Sequence, residues 1–326
     1  MKGRFVMIAA LLGSAATSAG AQCASAATAV KQACYASQDL VNYMTPQLAT
    51  AIAGGSSALA QSGVLGGLGR FALTIRGTAV MNGAFPNIND KPFATNGAPQ
   101  SYTTKSTPVP GAGVDFSVGL WKGVNLGATN IGGVDAIVSA LYLPDVKGDN
   151  GDFSITAKDG NLKLGYGVRV GVLDESVVIP GLYVSYLQRD LPTMSLSGSG
   201  GTSTGAGTAT GTFALNDFSV KTTAIRLVAM KNLLIFGLTA GVGQDSYKGS
   251  ANIVANVSGQ AASGAASMSM TRTNIFAGVS INFFVFKLAV EGGQVSGGSL
   301  AAPFNSFDKQ AGDSRTYLSG GLRLAF

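Results

Sequence analysis

The chemistry open to this 326-residue chain is set by 22 Lys and Arg, 16 Asp and Glu, two Cys and no His. Without histidine there is no Ser-His-Asp or Cys-His activation of a nucleophile, and the commonest metal ligand is missing. Cys23 and Cys34 are too widely spaced for a C-x-x-C redox pair, and two cysteines without histidine do not build an ordinary zinc site. No G-x-x-x-x-G-K-[ST] phosphate loop occurs, and the carboxylates are scattered without paired spacing. Catalytic residues, metal ligands and a cofactor are therefore not expected, and the chain reads as something other than an enzyme. The basic residues stand singly rather than in clusters, which argues against a nucleic-acid binder. What remains is electrostatic. Arg76, Asp115, Asp135, Lys163, Arg169, Arg189, Arg226, Arg272, Glu291 and Arg323 are the inward candidates when alternate positions of a strand are assigned to opposite faces, seven basic against three acidic. If they share one enclosed space, that space favours anionic solutes.

The elements that would gather those charges are strands. Phe71, Leu73 and Ile75 alternate with Ala72, Thr74 and Arg76, and Val114, Phe116, Val118 and Leu120 alternate with Asp115, Ser117 and Gly119. The pattern returns in Leu162, Leu164, Tyr166, Val168, Val170 and Val172, and again in Leu318, Leu322, Leu324 and Phe326. Successive strand residues face opposite ways, so each segment has one apolar face and one small or polar face, and the charges fall on the latter. The alternation runs for about 10 residues per strand, the length of a tilted membrane strand; soluble strands average about 5–6. Ten strands are expected, at 69–81, 112–121, 124–143, 161–173, 181–198, 208–230, 233–250, 266–283, 285–297 and 314–326, with twelve as the alternative. Short turns alternate with longer connections at 82–111, 144–160, 199–207, 251–265 and 298–313, which puts both chain ends on the short-turn side. A change of phase between Phe218 and Ile225 suggests a bulge there.

Only 12% of the residues are charged, about half the usual share of a soluble domain. The longest apolar run, Phe5–Leu12, is too short to span a membrane as a helix. Lys2 and Arg4 precede it and Ala19-Gly20-Ala21 follows, the layout of an export signal over residues 1–21 with the mature chain starting at Gln22. The exported chain then ends in the amphipathic strand Tyr317–Phe326. In this alternation, and in a last strand closing on an aromatic residue, residues 69–326 resemble bacterial outer-membrane β-barrel proteins. The resemblance implies an antiparallel barrel in outer-membrane lipid, with Phe326 read as an assembly signal by the barrel-assembly machinery. The order of an N-terminal segment before a barrel is also similar to that of long-chain fatty-acid transporters. Those barrels have fourteen strands, more than this chain supplies, and no ligand residue carries over.

Residues 22–68 read differently. Ala24, Ala27, Val30, Cys34, Leu40, Val41, Met44 and Leu48 have helical spacing, Pro46 is expected to end or kink the helix, and a Gly/Ser-rich stretch leads into the first strand. The segment is either a plug entering the barrel from the periplasm or a helix lying across its base. An oxidising periplasm favours a Cys23–Cys34 disulfide. A continuous helix would hold the two Cα atoms about 16 Å apart, so the bridge requires the helix to start well after Cys23. Passage of small solutes through a basic lumen is the expected function. The alternatives are a structural or adhesive barrel working through its outer loops, such as the one carrying Pro86, Pro92, Pro99, Pro108 and Pro110, or a transporter of apolar, fatty-acid-like solutes.

Overall fold

The computed structural model describes residues 23–326 apart from 60–62, 128, 148–152, 202–205, 301–303 and 305. The expected export signal over 1–21 lies outside the described residues. Among the described residues a long helix, α1 (Thr28–Ala53), precedes a ring of ten antiparallel strands. These are β1 (Phe71–Val80), β2 (Val109–Trp121), β3 (Val134–Tyr142), β4 (Leu162–Leu173), β5 (Gly181–Asp190), β6 (Gly211–Leu233), β7 (Phe236–Val257), β8 (Gln260–Phe283), β9 (Phe286–Val295) and β10 (Arg315–Ala325). Each strand pairs with its neighbours in sequence, and β1 pairs with β10 from Ala72–Ala325 to Val80–Tyr317. The last rung of that seam joins Phe71 and Phe326 by two backbone hydrogen bonds of 3.1 and 2.9 Å. Closure leaves the ring without an unpaired edge.

Side-chain parity explains why the sheet closes this way round. Ile75, Phe116, Leu164, Leu288 and Leu322 point outward and are exposed, while Arg76, Asp115, Arg169, Glu291 and Arg323 point inward and are buried. An apolar exterior around a closed ring is what a membrane-spanning barrel presents to lipid. No helix among the described residues is long and apolar enough to cross a membrane; the strands form the wall.

Three strand boundaries differ from expectation. The segment 124–143 yields only β3 plus a small hairpin of 124–125 on 130–131, because Gly123, Gly127 and Gly132 adopt positive φ and break the strand. The segment 181–198 stops at Asp190; residues 194–199 then form a separate strand that pairs beside β6 and carries residues 153–157 on its other edge. The expected loop 251–265 is instead the tip of the β7–β8 hairpin, which turns at Ser258-Gly259. Ala251, Ile253, Ala255 and Val257 are buried and alternate with Asn252, Val254 and Asn256, so a period of two is present but diluted by small side chains. The phase slip sits at Asn216–Ser219, where Asp217 has φ 55°, slightly before the expected place.

The helix differs most. It neither stops at Pro46 nor lies across the short-turn end: it runs to Ala53 and is buried almost throughout, inside the ring and against the tall β6–β8 wall. Proline removes a backbone donor, and neighbouring side chains supply others. Thr45 donates to the Val41 carbonyl at 2.7 Å, Gln47 to that of Tyr43 at 3.1 Å, and Thr50 to that of Pro46 at 2.8 Å. Its direction is also reversed. Tyr35 packs on Phe304 of the loop before β10, so the N-terminal end and Cys23 lie on the long-loop side, whereas Phe326 lies on the short-turn side. Cys23 and Phe326, the first and last described residues, therefore lie on opposite sides. Cys23 and Cys34 are bridged with Cα atoms 5.7 Å apart, the helix beginning five residues after Cys23.

Candidate functional site

Beyond the end of α1, residues 54–59 are buried inside the ring, and the inward charges close around them. The last carbonyls of a helix have no partner within it and carry its negative dipole end, so cations belong there. Three wall arginines supply them. Arg189 of β5 donates to the carbonyls of Ile52 (3.2 Å) and Ser57 (3.4 Å). Arg226 of β6 reaches Ala53 (2.9 Å) and Gly55 (3.1 Å), and Arg76 of β1 reaches Gly54 (2.7 Å) and Ser56 (3.1 Å). Carboxylates sit behind them. Asp115 accepts from Arg189 at 2.7 Å and Ser139 at 2.5 Å, Asp245 is ion-paired with Arg226, and Glu291 accepts from the Ser56 amide at 2.7 Å. The approach is so close that a Cβ on Gly55, already at φ +82°, would lie 2.0 Å from the Glu291 carboxylate. Farther toward the turns, Asp135 pairs with Arg169 and accepts the Leu65 amide on both oxygens at 3.0 and 3.1 Å, while Arg169 lies over the Tyr183 ring.

These placements correct two expectations. Three carboxylates cannot partner seven basic groups, and the expected basic lumen would leave the rest facing solutes. Backbone carbonyls of the threaded chain supply much of the missing partnership instead, and they occupy the axis of the ring. Lys163 has inward parity but stands exposed at the long-loop end of β4. Arg272, near the long-loop mouth, donates to the carbonyls of Asp313 (3.0 Å) and Ala311 (3.3 Å) and so pins the loop before β10; Arg323 is buried near the short-turn end of β10. Two buried inward charges escaped the sequence reading. Asp245 shares parity with Gly241 and Gly243, and Arg315 shares it with Arg323; following parity through those two strands would have found both.

Above the arginine collar, on the long-loop side, the interior becomes apolar. A cavity of about 640 Å³ lies between the Leu40, Met44 and Leu48 stripe of α1 and a wall that includes Leu196, Phe213 and Phe218. Its edge follows the β2–β3 seam. Pairing there ends at Gly113–Leu141, so Val109–Ala112 have no β3 partner and line the cavity together with Tyr142, Leu143 and Pro144. Spacing placed Leu40, Met44 and Leu48 on one helix face; that this face fronts a cavity depends on where the helix is held.

No family model matches the sequence, and no curated protein does either. Solved structures similar to the fold include the toluene transporter TodX of Pseudomonas putida, at 12% identity over 79% of this chain and 67% of that one, with a TM-score of 0.32. The COG4313 outer membrane channel from Pseudomonas putida F1 matches at 7% identity over 83% and 100%, with a TM-score of 0.33. The transport unit of the autotransporter AIDA-I from Escherichia coli matches at 8% over 89% and 99%, with a TM-score of 0.34. The fold is an outer-membrane-type β-barrel. At these scores the likenesses carry no argument, and the barrel assignment rests on the closed antiparallel ring and its apolar exterior.

Proposed function

We propose that this chain resides in a bacterial outer membrane and takes small apolar molecules from the outside into its long-loop cavity, with α1 and the arginine collar closing the lumen beneath. The observation that carries the reading is the cavity of about 640 Å³, which is walled by aliphatic and aromatic side chains and within the size range of small-molecule sites. Anionic solutes have less support, because the wall arginines that would attract them are engaged by carboxylates and by chain carbonyls. The test is binding of an apolar fluorescent probe to refolded barrel in lipid nanodiscs, competed by a plain hydrocarbon. Met44→Trp and Leu196→Trp fill the cavity from opposite walls, and each should weaken probe binding at least tenfold while leaving the barrel heat-modifiable on a gel. Undiminished binding in both folded variants would overturn the reading.

A further inference from the structure

The short-turn end of the barrel is apolar at its tips. Two of its hairpins turn through Leu233-Leu234-Ile235-Phe236 and Phe283-Phe284-Val285-Phe286. Leu234 and Phe284 hold φ of 57° and 51°, a region that side-chain-bearing residues avoid and that Asn or Gly normally fills in a tight turn. Both are fully exposed, at 99% and 104%, and the β4–β5 connection adds Val177 at 95%. The molecule contains its own control. At the opposite end the β7–β8 hairpin makes an equally short turn through Ser258-Gly259, with positive φ at both positions where the apolar turns have it only at the first. Turns of equal length with opposite side-chain chemistry point to a different surrounding medium at the two ends.

Polar groups of the short-turn end pair with one another just beneath the tips, and Lys231 donates to the carbonyls of Ser176 and Val177 at 2.5 and 2.9 Å. Asn232 and Lys231 face Glu175, and Asn282 donates to Asn232 at 3.0 Å. Outside, the tips continue the lipid-facing band without a break through Phe236, Phe286 and Leu288. Interfacial belts ordinarily use Trp and Tyr, whose rings carry a polar handle for the headgroup layer. Phe71, Phe236, Phe283, Phe286 and Phe326 carry none. The cations Arg70 and Lys122 lie on the β1–β3 side of this end, where long stems can lift a charge to the phosphates.

We propose that the short-turn tips around Val177, Leu234 and Phe284 are immersed in the acyl-chain layer of the near leaflet, so that this end of the barrel stops inside the membrane. Continuity with the lipid-facing wall is what selects lipid over a second copy or another protein. The test places single reporters, Phe284→Trp and Leu234→Trp, in a Trp121→Phe background, reconstituted in phosphatidylcholine vesicles at high lipid excess. Folding is checked by heat-modifiability, and Val177→Trp stands in for either reporter that fails to fold. Lipids brominated on the acyl chain should quench these reporters at least twofold, and acrylamide in the water should have little effect. Strong acrylamide quenching with no bromolipid effect overturns the proposal, because the tips then stand in water. Protection from both quenchers overturns it equally, because the tips are then covered by protein.

Discussion

The arginine collar can be tested by removing one member. Arg226→Met keeps length and bulk but deletes the donors to the Ala53 and Gly55 carbonyls and the cation beside Asp245. A hydrogen bond from a charged donor contributes about 1.5–3 kcal/mol, and breaking a buried ion pair costs about 3–5 kcal/mol because the orphaned charge stays desolvated. Asp245 would keep donors from Asn274 (3.0 Å) and Tyr247 (3.1 Å), so the lower part of that range applies, about 3–4 kcal/mol. The wall ladders are untouched, so the cost should fall on the seating of α1 rather than on the ring. At about 1.4 kcal/mol per decade, release of the helix end becomes roughly 100- to 1000-fold more frequent. Hydrogen exchange of the amides of residues 47–53 reads that factor directly, and planar bilayers should show brief conductance bursts absent from the parent. Arg226→Met with Asp245→Asn removes the orphaned charge and should recover at least tenfold of the protection. Exchange raised less than threefold by the single change, or a double variant looser than the single, would refute the idea that the collar holds the helix.

Two other outcomes follow from the same contacts. Deleting Phe326 removes both closing backbone bonds to Phe71 and the ring stacked on it at 5.2 Å, so heat-modifiable barrel in the outer membrane should fall severalfold, with Phe326→Tyr restoring most of it; unchanged yield at native expression would count against the seam. Asp39 meets the Ser306 amide and hydroxyl at 3.0 and 2.7 Å, yet burial pushes its carboxyl above the ordinary value of about 3.9. A raised carboxyl pKa in the folded state gives stability that is complete below the unfolded value and lost as pH rises through the folded one. Docking of Ser306 and Phe307 should therefore loosen as pH rises above about 4, seen as faster proteolysis there, and Asp39→Asn should flatten that trend.

The ten-strand ring and the facing of its residues were legible in the sequence because a strand writes its two faces at a period of two, and ten alternating segments leave few other ways to hide their apolar sides. The disulfide was expected from the oxidising compartment that an export signal implies, and chain geometry added only that the helix must start well after Cys23. Residues of small size blurred the signal, as in the Ala- and Ser-rich tip of β7 and β8, and positive-φ glycines cut β3 short where alternation suggested a longer strand. Tertiary structure alone decided what the charges do. Arg226 finds the Ala53 carbonyl across 173 residues of chain, and no periodicity records a partner that is a backbone atom of another element. The direction of α1 was equally hidden, since residues 54–70 have no side-chain pattern that says whether they climb or descend. Three arginines fix the helix end, and polar groups along its length hold its rotation: Asp39 accepts from Ser306, and Gln47 bonds the carbonyl and amide of Ala84 at 3.1 and 2.7 Å. The Leu40, Met44 and Leu48 face is thereby turned to the long-loop cavity, because a helix buried almost throughout is oriented by the polar groups it can satisfy.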